Sequence, residues 1–312
     1  MTRYRVIANP IAGKGAGEEL IPQVERLLTE LGLDFDLVRT ERVWHAAELA
    51  QEAAAAGYDV VVAMGGDGTS NEVLNGLMQA KKRVAKLPAM GVICIGTGND
   101  FAYGMGIPTE MEAGCRTLAQ DQRRTIDVGR VVGGRYLEGR YFGNGIGIGF
   151  DTVVGFEAAK MTHLHGFLCY VVAVLKTVFL YFRAPLVTIE YDGHALKQPA
   201  LMVSVMNGQR MGGGFMMAPD GDPGDGLLDL CIVDQVSRPG IFALVPHFMK
   251  GTQATKKPVK TGRSAGVVIT AIDGTLPAHA DGETLCTDGE RLAAEILPGQ
   301  IDVIYAPPEA AA

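Results

Sequence analysis

The sequence predicts two domains in succession: an α/β domain on a parallel sheet, then a mostly antiparallel β domain of sandwich type. Strands and helices alternate through residues 1–130, and glycine-rich loops stand at the ends of three of those strands. From about Val128 onward the text changes to strand-like alternation. A chain of 312 residues has room for roughly two domains. The boundaries read 1–130, 131–300, and a C-terminal segment 301–312 free to return to the first domain.

In order, strands are predicted at Tyr4–Ala8, Phe35–Arg39, Asp59–Ala63 and Gly91–Ile95, and helices at Gly17–Leu31, His45–Ala56, Asn71–Gln79 and Glu110–Gln120. Ligands of such sheets bind beyond the carboxyl ends of the strands. The glycine loops fall at those ends: Asn9 to Gly15, Gly65 to Gly68, and Gly96 to Asp100. The second domain reads as strands at Arg140–Asn144, Leu186–Asp192, Ala200–Asn207, Leu227–Val233, Gly266–Ile272 and Glu295–Ile304. An apolar stretch of 17 residues, Gly166 to Phe182, is interrupted by Lys176. It falls short of the roughly 20 residues a spanning helix needs, so it reads as a helix of the core or of a substrate cleft.

Composition excludes several classes. Hydrophobic residues at 47% and charged residues at 20% fit a soluble globular protein. A net charge of -7 argues against a nucleic-acid partner. The cysteines Cys94, Cys115, Cys169, Cys231 and Cys286 are scattered and lack CxxC spacing, which reads as reduced thiols in a cytoplasmic protein. The chain enters a strand at once, with no signal peptide ahead of it. Lys81-Lys82-Arg83 reads as a solvated helix end, and the basic run Lys256 to Lys260 with Arg263 as a solvated loop with the charge to meet anionic headgroups.

Met64-Gly65-Gly66-Asp67-Gly68-Thr69-Ser70-Asn71-Glu72 is the most informative stretch. A glycine turn between a strand and a helix exposes backbone N–H groups, and the helix N-terminus adds positive partial charge. That suits a phosphate. Asp67 would repel it unless a cation intervenes, so the segment suggests a phosphate with a divalent metal. Thr69 and Glu72 fit a capping box. Two common fingerprints fail: Lys14 is followed by Gly15, which breaks the Walker pattern, and Gly143 to Gly149 alternates without forming GxGxxG.

The loops resemble the diacylglycerol kinase catalytic-domain family, which includes bacterial lipid kinases, sphingosine kinases and ceramide kinases. The resemblance rests on Asn9-Pro10 with Gly13-Lys14-Gly15, on Thr40 before His45-Ala46, on GGDGTSNEV, and on GTGNDFA from Gly96 to Ala102. Further pieces fall in family order: Phe142-Gly143-Asn144, Gly149-Phe150-Asp151, Asn207, Gly212 to Gly214, Asp225 to Asp229, and Asp281-Gly282-Glu283. Tyr103 stands where the family often has arginine. The resemblance implies a phosphofructokinase- or NAD-kinase-like first domain and transfer of the terminal phosphoryl group of ATP, with Mg2+, to a hydroxyl of a lipid such as diacylglycerol.

It also implies roles. Asn9, Lys14, Thr40, Gly65, Gly66, Asp67, Gly68, Thr69, Ser70, Asn71, Gly96, Thr97 and Asn99 would surround the nucleotide. Asp67 and Asp127 would hold magnesium through water. Asp225, with the carbonyls of Asp222 and Leu227, would hold a structural magnesium. Glu283, with Asp281 beside it, would serve the acceptor hydroxyl, which needs a base in reach. The second copy, Asp288-Gly289-Glu290, reads as a hairpin turn. The active site would lie between the domains. The enzyme would be cytoplasmic, acting peripherally at the inner face of a membrane; a homodimer is left open. The alternatives are a kinase of a soluble substrate, of NAD or sugar phosphate type, and a non-catalytic nucleotide- or lipid-sensing protein.

Overall fold

The structure is a computed structural model and describes residues 2–160, 172–178 and 184–307. Most of the apolar stretch 166–182 lies outside the described residues. Among the described residues no helix is long and apolar enough to cross a membrane. The chain divides into two compact units, one formed by residues 1–127 with 298–312 and the other by 128–297.

The first unit is a parallel sheet. Its strands β1 (Arg3–Ala8), β2 (Asp34–Arg39), β3 (Val60–Gly65) and β4 (Ala89–Cys94) lie in the order β2-β1-β3-β4. Every residue of β3 and β4 is buried, as expected of central strands covered on both faces, whereas β2 is an edge with its charged residues outward. The end of the last strand, β17 (Arg291–Ile304), joins β4 in parallel through Val303 and Met90. Around the sheet run α1 (Ala16–Glu30), α2 (His45–Ala55), α3 (Asp67–Ala80), α4 (Asp100–Gly104) and α5 (Met111–Gln120).

Helix α3 begins at Asp67, earlier than the sequence suggests, and the expected capping box does not form. The Glu72 carboxylate instead accepts the N–H groups of Trp44 (2.8 Å) and Ala46 (3.1 Å), so it caps the neighbouring α2. The Thr69 hydroxyl accepts from the Asn9 side-chain amide at 3.0 Å. Both residues serve a neighbouring segment, and side-chain spacing within α3 cannot report that.

The second unit is mostly antiparallel. It contains the end of β5 (Arg123–Gly133), then β6 (Tyr136–Phe142), β7 (Gly145–Gly149), β8 (Leu186–Tyr191), β9 (His194–Met206), the two-residue strands β10 (Arg210–Met211) and β11 (Phe215–Met216), β12 (Leu228–Asp234), β13 (Val259–Ser264), β14 (Gly266–Asp273), β15 (Leu276–Ala280), β16 (Glu283–Gly289) and the first part of β17. Long β9 belongs to two sheets. Its first half pairs with β8, and its second half lies between β7 and β12. The sandwich core forms from inward residues such as Ile146, Ile148, Val203, Ile232, Ile189 and Ile269. Helix α6 (Phe150–Ala159), the helical segment α7 (residues 172–178) and α8 (Arg238–Lys250) pack on the other side of the β9-containing sheet. Cys94, Cys115, Cys231 and Cys286 are buried free thiols.

Helices α2 and α3 approach so closely that a Cβ at Gly76 would stand 2.2 Å from the Ala47 carbonyl oxygen. Gly76→Ala sets two effects against each other. Helix propensity favours alanine by about 1 kcal/mol, while overpacking against backbone costs about 1–3 kcal/mol. The clash involves main chain, which cannot rotate away, so the variant should be the less stable. A urea midpoint below that of the wild type checks this; a higher midpoint would show that the helices separate freely.

Candidate active site

Because β1 to β4 are parallel, their carboxyl ends share one edge. Main-chain bonds bind these ends together: Asn9 N–H to Met64 O (2.9 Å), Thr40 N–H to Ala8 O (2.8 Å) and Ile95 N–H to Gly65 O (2.8 Å). The first loop turns through Gly13 and Lys14, both at positive φ (59° and 63°). A Cβ at Gly13 would stand 2.6 Å from the Ile95 carbonyl, so this loop leans on the end of β4. Lys14 and Thr97 are exposed here and Thr40 is half-buried.

The second and third loops touch backbone to backbone. A Cβ at Gly96 would stand 2.7 Å from the Gly66 Cα, and one at Gly65 would stand 2.3 Å from Thr69 Oγ1. Side chains at these positions would push the loops apart. Asn99, at φ 54°, ties off the third loop by donating from Nδ2 to the Gly96 carbonyl at 2.9 Å. Above this contact lies the start of α3. The first-turn amides of any helix, here those of Asp67, Gly68 and Thr69, have no acceptor within it and carry the positive end of its dipole. The result is a small anion-binding edge. Ser70 and Asn71 lie deeper, buried within α3, where Asn71 accepts from the Asn75 amide.

Asp67 joins the loops through its side chain. Its Oδ1 accepts the Phe101 N–H at 2.9 Å, in the first turn of α4. Its Oδ2 lies over Gly98, 2.8 Å from where a Cβ there would stand, and Asp100 Oδ2 lies 3.8 Å from the same point. Two carboxylates therefore flank Gly98. Asp100 is the residue that reasoning from the sequence missed; the signal was its place directly after Asn99 in the third loop. The buried Asn99 Oδ1 has no hydrogen-bond partner among the described residues. Hard oxygen donors beside a phosphate-binding edge fit magnesium, which is usually held by one or two carboxylates with substrate phosphates and water.

Asp127 is not brought to this edge. Its Oδ1 accepts the Gly299 N–H at 2.7 Å. The neighbouring Gln300 receives the Lys81 ammonium on its backbone and side-chain oxygens (3.2 and 2.7 Å). Lys81 follows the far end of α3, whose 14 residues begin at Asp67; at about 1.5 Å per residue that separates the two ends by roughly 20 Å. Asp127 fixes the turn at Gly299, which has φ 58°, and the expectation that it shares a metal with Asp67 is corrected.

In the second unit the run His279 to Glu283 ends β15, turns and begins β16. Asp281 is a clamp. Its carboxylate accepts three backbone N–H groups, from Gly143 (2.7 Å), Asn144 (3.0 Å) and Gly145 (2.9 Å). Held in this way, it positions the turn that leads into Glu283. Glu283 is half-buried at the start of β16, and Glu290 is exposed in the turn between β16 and β17. Opposite His279 in the ladder stands Gly147, where a Cβ would come within 2.1 Å of Asp151 Oδ2 and 2.4 Å of His279 Nε2. The alternating glycines of β7 thus make room for side chains on one face while Ile146 and Ile148 enter the core on the other. His279 Nδ1 accepts the Gly282 N–H at 3.3 Å, and its Nε2 faces Asp151 Oδ2 at 3.9 Å. Burial pushes the Asp151 carboxyl up to about 7 and the His279 imidazole down to about 4, so both are held toward their neutral forms.

The acidic turn does not fit its expected magnesium. The Asp225 carboxylate is ion-paired with Arg263 and accepts the Leu227 N–H at 2.9 Å, and Arg263 Nε also reaches Asp229 Oδ1 at 3.2 Å. The Asp222 carbonyl accepts the Asp225 N–H at 3.4 Å. A guanidinium stands where the cation was expected.

A parallel α/β unit with a glycine-lined edge, together with an antiparallel sandwich unit, is an NAD-kinase-like fold. Residues 3–131 match the diacylglycerol kinase catalytic domain and residues 144–305 match the YegS C-terminal NAD kinase beta sandwich-like domain. A diacylglycerol kinase of Bacillus subtilis (strain 168) is 32% identical over 253 residues, covering 80% of each chain. One from Mycobacterium tuberculosis (strain H37Rv) is 28% identical, covering 97% of this chain and 94% of its own. A diacylglycerol kinase crystal structure from Bacillus anthracis superposes with a TM-score of 0.73 at 23% identity, over 98% of this chain and 97% of that one. An Archaeoglobus fulgidus NAD kinase in complex with ATP shares the fold at a TM-score of 0.51 and 14% identity, over 97% of this chain and 93% of that one. The chain belongs to the diacylglycerol kinase family.

Asp151 makes the second unit's stability depend on pH. Its folded pKa, about 7, lies above the ordinary 3.8, so its contribution is fully present below 3.8 and is lost as pH rises through about 7. His279 acts in the opposite sense, losing stability as pH falls from 6.5 through about 4, but it is common to wild type and variant. Asp151→Asn cannot ionise. Its melting temperature relative to wild type should therefore rise between about pH 5 and about pH 8; a constant difference would show that Asp151 is not held neutral.

Proposed function

We propose that the chain is an ATP- and magnesium-dependent lipid kinase that transfers the terminal phosphoryl group of ATP to a hydroxyl of a lipid such as diacylglycerol. The backbone contact of the Gly65–Gly68 and Gly96–Asn99 loops carries this reading. Amides of Gly66, Gly68 and Thr69 and of the third loop hold the nucleotide phosphates, with Asn9, Lys14, Thr40 and Thr97 around them. Asp67 and Asp100 orient the metal side of the nucleotide. Magnesium, when bound, neutralises charge developing on the phosphate oxygens.

Positioning and charge neutralisation do most of the work in phosphoryl transfer. The remaining step is proton removal. Glu283 accepts the proton of the lipid hydroxyl as its oxygen bonds to the terminal phosphorus and the bridging bond to ADP breaks. Asp281 holds the turn that presents Glu283, and His279 holds the Gly282 N–H of the same turn. The names of the 32% and 28% identical relatives support diacylglycerol as the acceptor to test first. Such an enzyme works on the cytoplasmic side, peripherally at the membrane that contains its substrate.

The experiment is turnover of labelled ATP with detergent-dispersed diacylglycerol, set against NAD and a sugar phosphate. Phosphorylation of NAD alone would replace this reading with that of a soluble-substrate kinase. Within the lipid reaction, Glu283→Gln keeps the shape and removes the base, so kcat should fall by about 10²–10⁴ with ATP binding retained. Glu290→Gln, in the second Asp-Gly-Glu copy, should leave kcat nearly unchanged. A near-normal Glu283 variant beside an inactive, folded Glu290 variant would reverse the assignment.

A further inference from the structure

Helix α8 carries apolar residues on two faces, and among the described residues one of them enters the core cluster while the other is partly exposed. Ile241, Leu244 and Phe248 are buried in the cluster that also contains Phe150, Val154 and Val174. On the other side Phe242, Pro246 and Met249 follow at helical spacing, with Phe242 37% and Met249 43% exposed. The outer face of a surface helix is normally charged or polar. Here no lysine, arginine or carboxylate stands between Pro239 and Met249.

The surrounding charge is one-sided. From Arg238 to Lys260 there is no Asp or Glu, while Arg238, Lys250, Lys256, Lys257 and Lys260 are all basic, in a chain of net charge -7. Lys260 is paired with Asp234 at 3.3 Å. Lys250, Lys256 and Lys257 have no carboxylate partner among the described residues. An apolar ridge followed by unpaired lysines, on an otherwise acidic protein, complements a surface that is apolar below and anionic above.

We infer that the Phe242–Met249 ridge of α8, with Lys250, Lys256 and Lys257, is a docking surface for an anionic phospholipid bilayer. The phenyl ring and thioether enter the boundary between headgroups and acyl chains, and the ammonium groups meet lipid phosphates. Few side chains are involved, so docking is reversible and weakened by salt. This role deepens the lipid-kinase reading and rests on it, since it supplies the contact through which a peripheral enzyme meets a substrate that stays in the membrane.

The test is flotation of the full chain with vesicles of phosphatidylcholine alone or mixed with phosphatidylglycerol. The wild type should bind the mixed vesicles and not the neutral ones, with release at high salt. Phe242→Ser with Met249→Ser should abolish binding, and each lysine changed to Gln should weaken it about fivefold, since a cation near such a surface contributes about 1 kcal/mol. Melting temperature and turnover of detergent-dispersed diacylglycerol should match the wild type in every variant. Equal binding to both vesicle types, or wild-type binding by the ridge variant, would overturn the inference. So would sedimentation showing a dimer that the ridge variant dissociates, because a second copy would then cover this face. Vesicle binding by a wild type that phosphorylates no dispersed lipid would remove the lipid-kinase reading and leave the docking surface standing.

Discussion

The constraint on which the candidate site of the first unit depends is the contact of two main chains. Gly96 meets Gly66 with so little room that a Cβ at Gly96 would stand 2.7 Å from the Gly66 Cα. That contact brings the loop after β4 against the start of α3. It also sets Gly98 beneath Asp67 and Asp100, and lets Asp67 reach the first turn of α4. The anion-binding edge therefore does not depend on any one side chain. It depends on the absence of side chains where the loops meet, with the carboxylates of Asp67 and Asp100 at the rim beside Gly98.

The second unit uses the opposite device. There a buried carboxylate organises the backbone: Asp281 gathers three amides of the Gly143–Gly145 turn and so fixes the turn that leads into Glu283. A carboxylate with that many donors has its hydrogen-bonding capacity met, which lowers the cost of burying it. Asp151 lacks such donors on Oδ2 and is pushed toward its neutral form. Two aspartates in one small region thus differ in their hydrogen bonds, and the one without a full set is the one pushed toward its neutral form.

Much of this was legible in the letters. The buried runs of β3 and β4, the helices between them and the glycine loops announce a parallel sheet because burial on both faces leaves an unbroken apolar run. The antiparallel unit was legible in outline, from the alternation in β8, β9 and β12. Strand β7 was not read as a strand: a Gly-Ile-Gly-Ile-Gly run looks like a loop until Asp151 and His279 are seen to fill the glycine face. Glu72, Asp127 and Arg263 were misread or overlooked for one common reason. Each acts on a partner distant in sequence, at Trp44, Gly299 and Asp225, and spacing along one element carries no trace of such pairings. Asp100 was passed over because a carboxylate at the start of a short helix looks like an ordinary cap.

The most direct test of the account is calorimetric titration of ATP with magnesium into the wild type and Gly96→Ala, with circular dichroism confirming that the variant is folded. The added methyl group forces the two loops apart and removes none of the proposed catalytic side chains. The account predicts that ATP affinity falls by at least about tenfold, or roughly 1.4 kcal/mol. A folded variant that binds ATP as tightly as the wild type would contradict it, because the phosphate site would then not be built from the contact of these loops.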